Sequence, residues 1–426
     1  MLKKSLILIS LFALLLSFSS CVQKEVKVPP EAEGNLPEVK EEAVTAEKRI
    51  DPYLFTPDKK VSTEEKNIVF TEYEGGKERT QKYTLDFYKE TENFTSAYEG
   101  IEFEKKVFDG LLEYDSFSFQ KAFGAFLYFL TEKDGEKSFM RYSMEDGSFE
   151  KVFSYNGEND LSIASVSDKY LIFREDENAN WCKVSISCLD LTTGEAKRFF
   201  TYSRDENDMM YSWNFNDIVI DGNRIYFDNT ESYLDGKAHI NLYEYNAVTG
   251  DITVIDEERA TKPLTYNGIS YIGYDEGKKE YILKNTVTDK EKVYLGNIPF
   301  TLIGAKDLAV CKKDKALFYY DGNNTYPIIE SSTHIDTVSC SDGYIVWDGW
   351  NNDAPLFYDI RREKIISVDP LNDGKRYVGY VSDDYLIFEA HEYVPNTALG
   401  EDSVTTDALI YYFVKTDMLN KNLKGE

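Results

Sequence analysis

From about residue 61 onward the chain repeats one short pattern of apolar and polar positions. A tight polar turn leads into a brief aromatic and aliphatic run. A loop of variable length follows, and a second apolar run then ends in a turn led by Asp or Asn. The first runs are Phe126–Phe129, Tyr170–Phe173, Arg224–Phe227, Ile269–Ile272, Leu308–Cys311, Tyr344–Trp347 and Tyr385–Phe388. The second runs recur as Ser187–Asp190, Leu242–Tyr245, Tyr281–Lys284, Leu317–Tyr320, Leu356–Asp359 and Leu409–Tyr412. Most of these runs are apolar without alternation, so each predicts a strand whose two faces are both covered. No segment beyond residue 100 carries the period of an amphipathic helix, which argues against a βαβ fold.

The turns have their own chemistry. Asp190–Gly194, Asn246–Gly250 and Asn285–Asp289 place a capping Asp or Asn first and, in two of the three, a Gly last. The side-chain oxygen can satisfy backbone N–H groups of the turn, and Gly supplies the positive φ that closes it. With Leu127, Leu171, Ile225, Ser270, Leu308, Ile345 and Leu386 as anchors, the repeat spacing is 37–54 residues. Four-stranded propeller blades recur at about 40–50 residues. The predicted fold is therefore all-β, a β-propeller of about seven blades, with six to eight compatible with the pattern. Asn67–Phe87 is expected either to close the ring or to form another blade. Over roughly residues 120–415 the strand, Asp-x-x-Thr-Gly turn, strand grammar resembles the TolB-like and WD40-like propeller repeats of bacterial envelope proteins. It departs from the Gly-His to Trp-Asp signature of WD40 repeats, since Trp347-Asp348 is an isolated match.

The N-terminus reads differently. Lys3 and Lys4 precede an apolar stretch, Ser5–Phe18, and the small residues Ser19 and Ser20 lead into Cys21. This order of features marks a secretory signal. It resembles a bacterial lipoprotein signal, with residues 1–21 ending at a Cys that would be acylated, as by palmitate. Two acyl chains hold a protein to a membrane where one is marginal. Residues 22–60, rich in Glu, Lys and Pro, are expected to form a flexible tether, and residues 61–426 the propeller. The implied location is the cell envelope, lipid-anchored and extracytoplasmic.

Composition and charge narrow the partners. The chain carries 76 acidic and 48 basic residues, a net charge of −28, which repels phosphate backbones and excludes nucleic acid as a natural partner. Tyr (32) and Phe (26) far outnumber Trp (4), and rings of this kind favour strands. Beyond Cys21 the cysteines are Cys182, Cys188, Cys311 and Cys340, too few for a disulfide scaffold in so long a chain.

Chemistry-bearing motifs are sparse. There is no G-x-S-x-G elbow, and His239, His334 and His391 fall in separate repeats with no shared motif. Asp176, Asn178 and Asn180 are spaced like a calcium loop. Trp181, however, stands where such a loop needs Gly, and Ser187 where it needs the bidentate Glu. Trp350, in a polar loop beyond the strand ending at Trp347, is a candidate anchor for a sugar or protein partner. No cofactor motif is present. The expected function is a non-enzymatic binding platform for an envelope protein or polysaccharide. The alternative is a carbohydrate-active enzyme, hydrolase or lyase, using acidic residues at the axial pocket.

If Cys21 carries the anchor, replacing it with Ala is expected to release the protein from membranes and leave the propeller folded. Membrane fractionation checks this, and an unchanged membrane fraction would contradict the lipoprotein reading.

Overall fold

Each of the seven apolar runs that anchor the repeat lies in the second strand of its own antiparallel sheet. The computed structural model describes residues 48–50, 59–71, 78–177, 183–203, 217–234, 237–257, 259–287, 292–296, 301–313, 315–333, 335–349, 354–373, 375–395 and 404–421. The signal and Cys21 lie outside these residues, as do Asn178, Asn180 and Trp350. Residues Glu47–Glu426 form one compact unit.

Seven sheets occur among the described residues. Sheet 1 runs Ser116–Phe123, Phe126–Lys133, Glu136–Ser143, Phe149–Tyr155, and sheet 2 runs Asp160–Val166, Tyr170–Asp176, Lys183–Asp190, Ala196–Ser203. Sheet 3 contains Ile218–Asp221, Arg224–Leu234, Lys237–Asn246 and Ile252–Asp256. Sheets 4, 5, 6 and 7 begin with Thr261–Thr265, Thr301–Ala305, Ile335–Cys340 and Tyr377–Val381. Within each repeat the strands follow chain order outward, and the first strands of successive sheets stand side by side around one axis. The fold is a β-propeller.

The apolar runs meet between sheets. Seven buried clusters fill the interfaces between consecutive sheets, sheet 7 against sheet 1 included. Tyr128, Phe139, Leu171 and Phe173 join sheets 1 and 2, for example, and Val346, Phe357, Leu386 and Phe388 join sheets 6 and 7. This is why the runs do not alternate: one face of each strand packs on the preceding sheet and the other on the next. The turns behave as their sequence predicts. Asp190 Oδ1 accepts the N–H groups of Thr192 (2.8 Å) and Thr193 (3.1 Å), and Asn246 Oδ1 those of Val248 (3.0 Å) and Thr249 (3.2 Å). Ser167 and Ser382 Oγ each accept the N–H three residues on, at 3.0 Å.

Before entering sheet 1, the chain runs as a strap along the outer edges of the last four sheets. Lys48–Arg49 pairs parallel with Val293–Gly296 of sheet 4, and the buried Ile50 follows it. These residues fall within the stretch read as tether. The hairpin Ser62–Thr71/Glu78–Phe87 adds to Thr325–Ser331 of sheet 5, and Glu90–Asn93 pairs parallel with Lys364–Ser367 of sheet 6. Glu104–Phe108 then pairs antiparallel with Val404–Lys415 of sheet 7. Asn67–Phe87 therefore neither closes the ring nor forms a blade. Its buried residues Tyr83, Leu85 and Phe87 alternate with more exposed ones, so this segment has one apolar face and lies at an edge.

Ring closure falls to Glu104–Phe108. The Phe108 ring lies 5.8 Å from Tyr411 of sheet 7 and 5.0, 5.2 and 5.5 Å from Phe129, Tyr142 and Phe149 of sheet 1. Ser382 Oγ donates to Gly124 O (2.7 Å), adding a polar tie across the same seam. Truncating a buried Phe removes its burial and leaves a cavity, at about 3–5 kcal/mol. Phe108→Ala is expected to lower stability by that order in urea unfolding. Val107→Ala, on the exposed face of the strand, is expected to cost far less.

Candidate functional site

The first strand of each sheet pairs with only one neighbour, so its other edge faces the axis with main-chain N–H and C=O groups open. A cavity of about 480 Å³ opens there, lined by the first strands of sheets 1 to 5. Ligand pockets typically measure about 300–1,000 Å³. Gly304 makes part of this wall possible. A Cβ at Gly304 would sit 2.2 Å from the carbonyl oxygen of Thr265, so only glycine lets the first strands of sheets 4 and 5 come this close.

Three charged side chains line the cavity, from three consecutive sheets: Lys121, Arg174 and Asp217. Irregular pairing helps present them. The pairing of sheet 1 slips between Phe119 and Lys121, leaving Gln120 as the extra residue of a bulge. Gln120 Oε1 accepts the N–H of Ile163 (3.1 Å), tying sheet 1 to sheet 2. Arg174 stands opposite Ser162 in sheet 2 and pairs with Asp176 at 3.5 Å. Asp217 immediately precedes the first strand of sheet 3. Beneath it Asp228 is fully buried, accepting a hydrogen bond from Thr261 Oγ1 and another from the Lys262 N–H (2.9 Å). Lys262 adopts a left-handed φ of 53° in this irregular stretch.

The electrostatics single out two of these groups. Burial within the cavity wall, aided by the negative charge of Asp228, pushes the Asp217 carboxyl up to about 6; Lys262 and Lys121 oppose the shift. The same loss of bulk solvent lowers the Lys121 ammonium, with Asp217 opposing. Both side chains are exposed to solvent through the open cavity, so water screens both shifts. Among the described residues neither makes a hydrogen bond or an ion pair. A carboxylate and an ammonium thus share one cavity without touching.

The residues singled out from sequence lie elsewhere. Asp176 ends the second strand of sheet 2, opposite Asp160, with Arg174 as its ion-pair partner. No group of three or more His, Cys, Asp or Glu placed to hold a metal occurs among the described residues. Trp347 is buried between sheets 5 and 6, and the adjacent Asp348 pairs with Arg376 at 2.8 Å. Cys188, Cys311 and Cys340 are free thiols. Lys121, Arg174 and Asp217 belong to no local motif. The one available signal was position, since each lies on or beside the strands around a repeat anchor.

No protein family matches the sequence, and no curated protein does. Solved structures do. A prolyl endopeptidase is similar with a TM-score of 0.46 and 14% identity, covering 71% of this chain and 50% of that one. Oligogalacturonate lyase from Vibrio parahaemolyticus is similar with a TM-score of 0.44 and 12% identity, covering 83% and 97%. TolB from Acinetobacter baumannii is similar with a TM-score of 0.35 and 14% identity, covering 63% of each chain. The chain spans half the length of the prolyl endopeptidase. With a peptidase and a lyase among the similar folds, the expectation of a non-enzymatic protein is corrected. At these identities the likeness concerns the fold and assigns this chain no substrate.

A carboxyl whose pKa is raised in the folded state binds its proton more tightly there than in the unfolded chain. Its ionisation therefore costs stability, and the cost grows as pH rises from the unfolded value, about 4, through about 6. Asp217→Asn is expected to raise Tm at pH 8 and to leave it nearly unchanged at pH 4, as thermal unfolding at the two pH values will test.

Proposed function

We propose that the axial cavity is the active site of a carbohydrate-active enzyme, with Asp217 as its acid–base group. The observation that carries this reading is the Asp217 carboxyl, which lines the cavity, open to solvent and with no partner among the described residues, and whose pKa is pushed up to about 6. A group that titrates near the working pH can both take and return a proton, which is what cleavage of a glycosidic bond demands. The surroundings suit a polyhydroxylated ligand. Ser162, Ser165 and Thr265 line the cavity alongside the open main-chain edges of the first strands, and hydroxyls can match such donors and acceptors. Asp228, fully buried and engaged by Thr261 and Lys262, acts on Asp217 through its charge and does not touch substrate. We further propose that the enzyme works outside the cytoplasm, held to a membrane by lipid on Cys21, on a polysaccharide of the envelope. The order of features in residues 1–21 supports that location.

The test incubates the full chain with purified envelope polysaccharides and follows their chain length by size-exclusion chromatography. Shortening by the wild type is expected, with a loss of about a hundredfold or more in Asp217→Asn. The wild-type rate is expected to change through about pH 6. Cleavage by Asp217→Asn at the wild-type rate would overturn the proposal.

A further inference from the structure

Lys121 lines the cavity and keeps its ammonium in reach of solvent and of any ligand that enters. This chain offers carboxylates in excess, 76 acidic residues against 48 basic. Yet Lys121 has no ion-pair partner among the described residues, although Asp217 faces the same cavity. Arg174, on the sheet between them, also lines the cavity and is steadied by Asp176 at 3.5 Å. Two cations and one carboxylate line the cavity; Asp176 already partners Arg174, and Lys121 is the cation with no ion pair among the described residues.

From this juxtaposition we infer that Lys121 and Arg174 form a subsite for an anionic substituent of the saccharide, a carboxylate or a sulfate, in the cavity that Asp217 also lines. The inference rests on the reading of the cavity as a saccharide site. The separation of the charges is what gives it content. Lys121 and Asp217 in contact would neutralise each other and leave a polar wall with no preference. Held apart, they fix the direction of a ligand, with its acidic group toward sheets 1 and 2 and its scissile bond toward sheet 3. The bulge at Gln120 supports the subsite, since its tie to Ile163 holds the Lys121 strand against sheet 2. An anion between an ammonium and a guanidinium gains charge-assisted hydrogen bonds from both, and the guanidinium can bind it in bidentate fashion.

The experiment measures binding rather than turnover, so that it stands apart from the test of Asp217. The full chain is titrated calorimetrically with three disaccharides of matched size: one containing a hexuronate, one bearing a sulfate ester and one neutral. The hexuronate or the sulfated sugar is expected to bind at least about tenfold more tightly than the neutral one, with affinity falling as salt rises. Which of the two binds identifies the anion. Lys121→Met is expected to abolish the preference and Lys121→Arg to retain most of it, with circular dichroism confirming that both variants fold. Equal affinity for charged and neutral sugars, or an unchanged preference in Lys121→Met, would overturn the subsite while leaving the acid–base role of Asp217 to its own test.

Discussion

A strand with apolar residues on both faces has no stable place at the surface, and the architecture follows from that constraint. Each sheet needs a neighbour on either side, so the row of sheets must close on itself or leave two apolar faces in water. At roughly 25 cal/mol per Å2 of apolar surface, an open seam the size of one inter-sheet cluster would cost several kcal/mol. The chain avoids that cost by bringing Glu104–Phe108 to the edge of sheet 7, where Phe108 also packs on sheet 1. The axial cavity is the counterpart of the same geometry. Sheets that pack face to face around a ring turn their first strands inward, and the unpaired edges define a space that side chains fill only in part.

Charges of both signs, Lys121, Arg174 and Asp217, line that space. In the cavity, Lys121 and Asp217 remain exposed while protein groups act on both. Asp228 is the hidden member of this arrangement. Fully buried and held by Thr261 and Lys262, it adds to the loss of bulk solvent that raises Asp217, a group that does meet solvent.

Much of the fold was legible in the sequence because it is local. Runs such as Tyr170–Phe173 and turns such as Asp190–Gly194 carry their structure within a few residues, and all seven anchors became second strands. The strap was not legible, because its role depends on pairing with strands hundreds of residues away: Thr91 lies opposite Ile365, and Val107 opposite Ile410. The site was hidden for a related reason. Lys121, Arg174 and Asp217 are separated by more than 40 residues at each step and meet only because consecutive sheets surround one axis. Sequence reasoning drew attention instead to dense local clusters of acidic or aromatic residues. In a chain with 76 acidic residues such clusters arise without function.

The strap also sets an order of events during synthesis. Residues 62–108 are made well before their partners in sheets 5 to 7, which lie between Thr325 and Lys415. At about 5–20 residues per second, those partners follow tens of seconds later at the slow end of that range. Sheets 1 to 3 have their strands complete by Asp256 and are free to assemble from short-range contacts while the strap waits. The average sequence distance between native contacts is raised by these few pairings, and folding slows accordingly. Until Glu104–Phe108 has paired with Val404–Lys415, sheet 7 lacks its outermost strand.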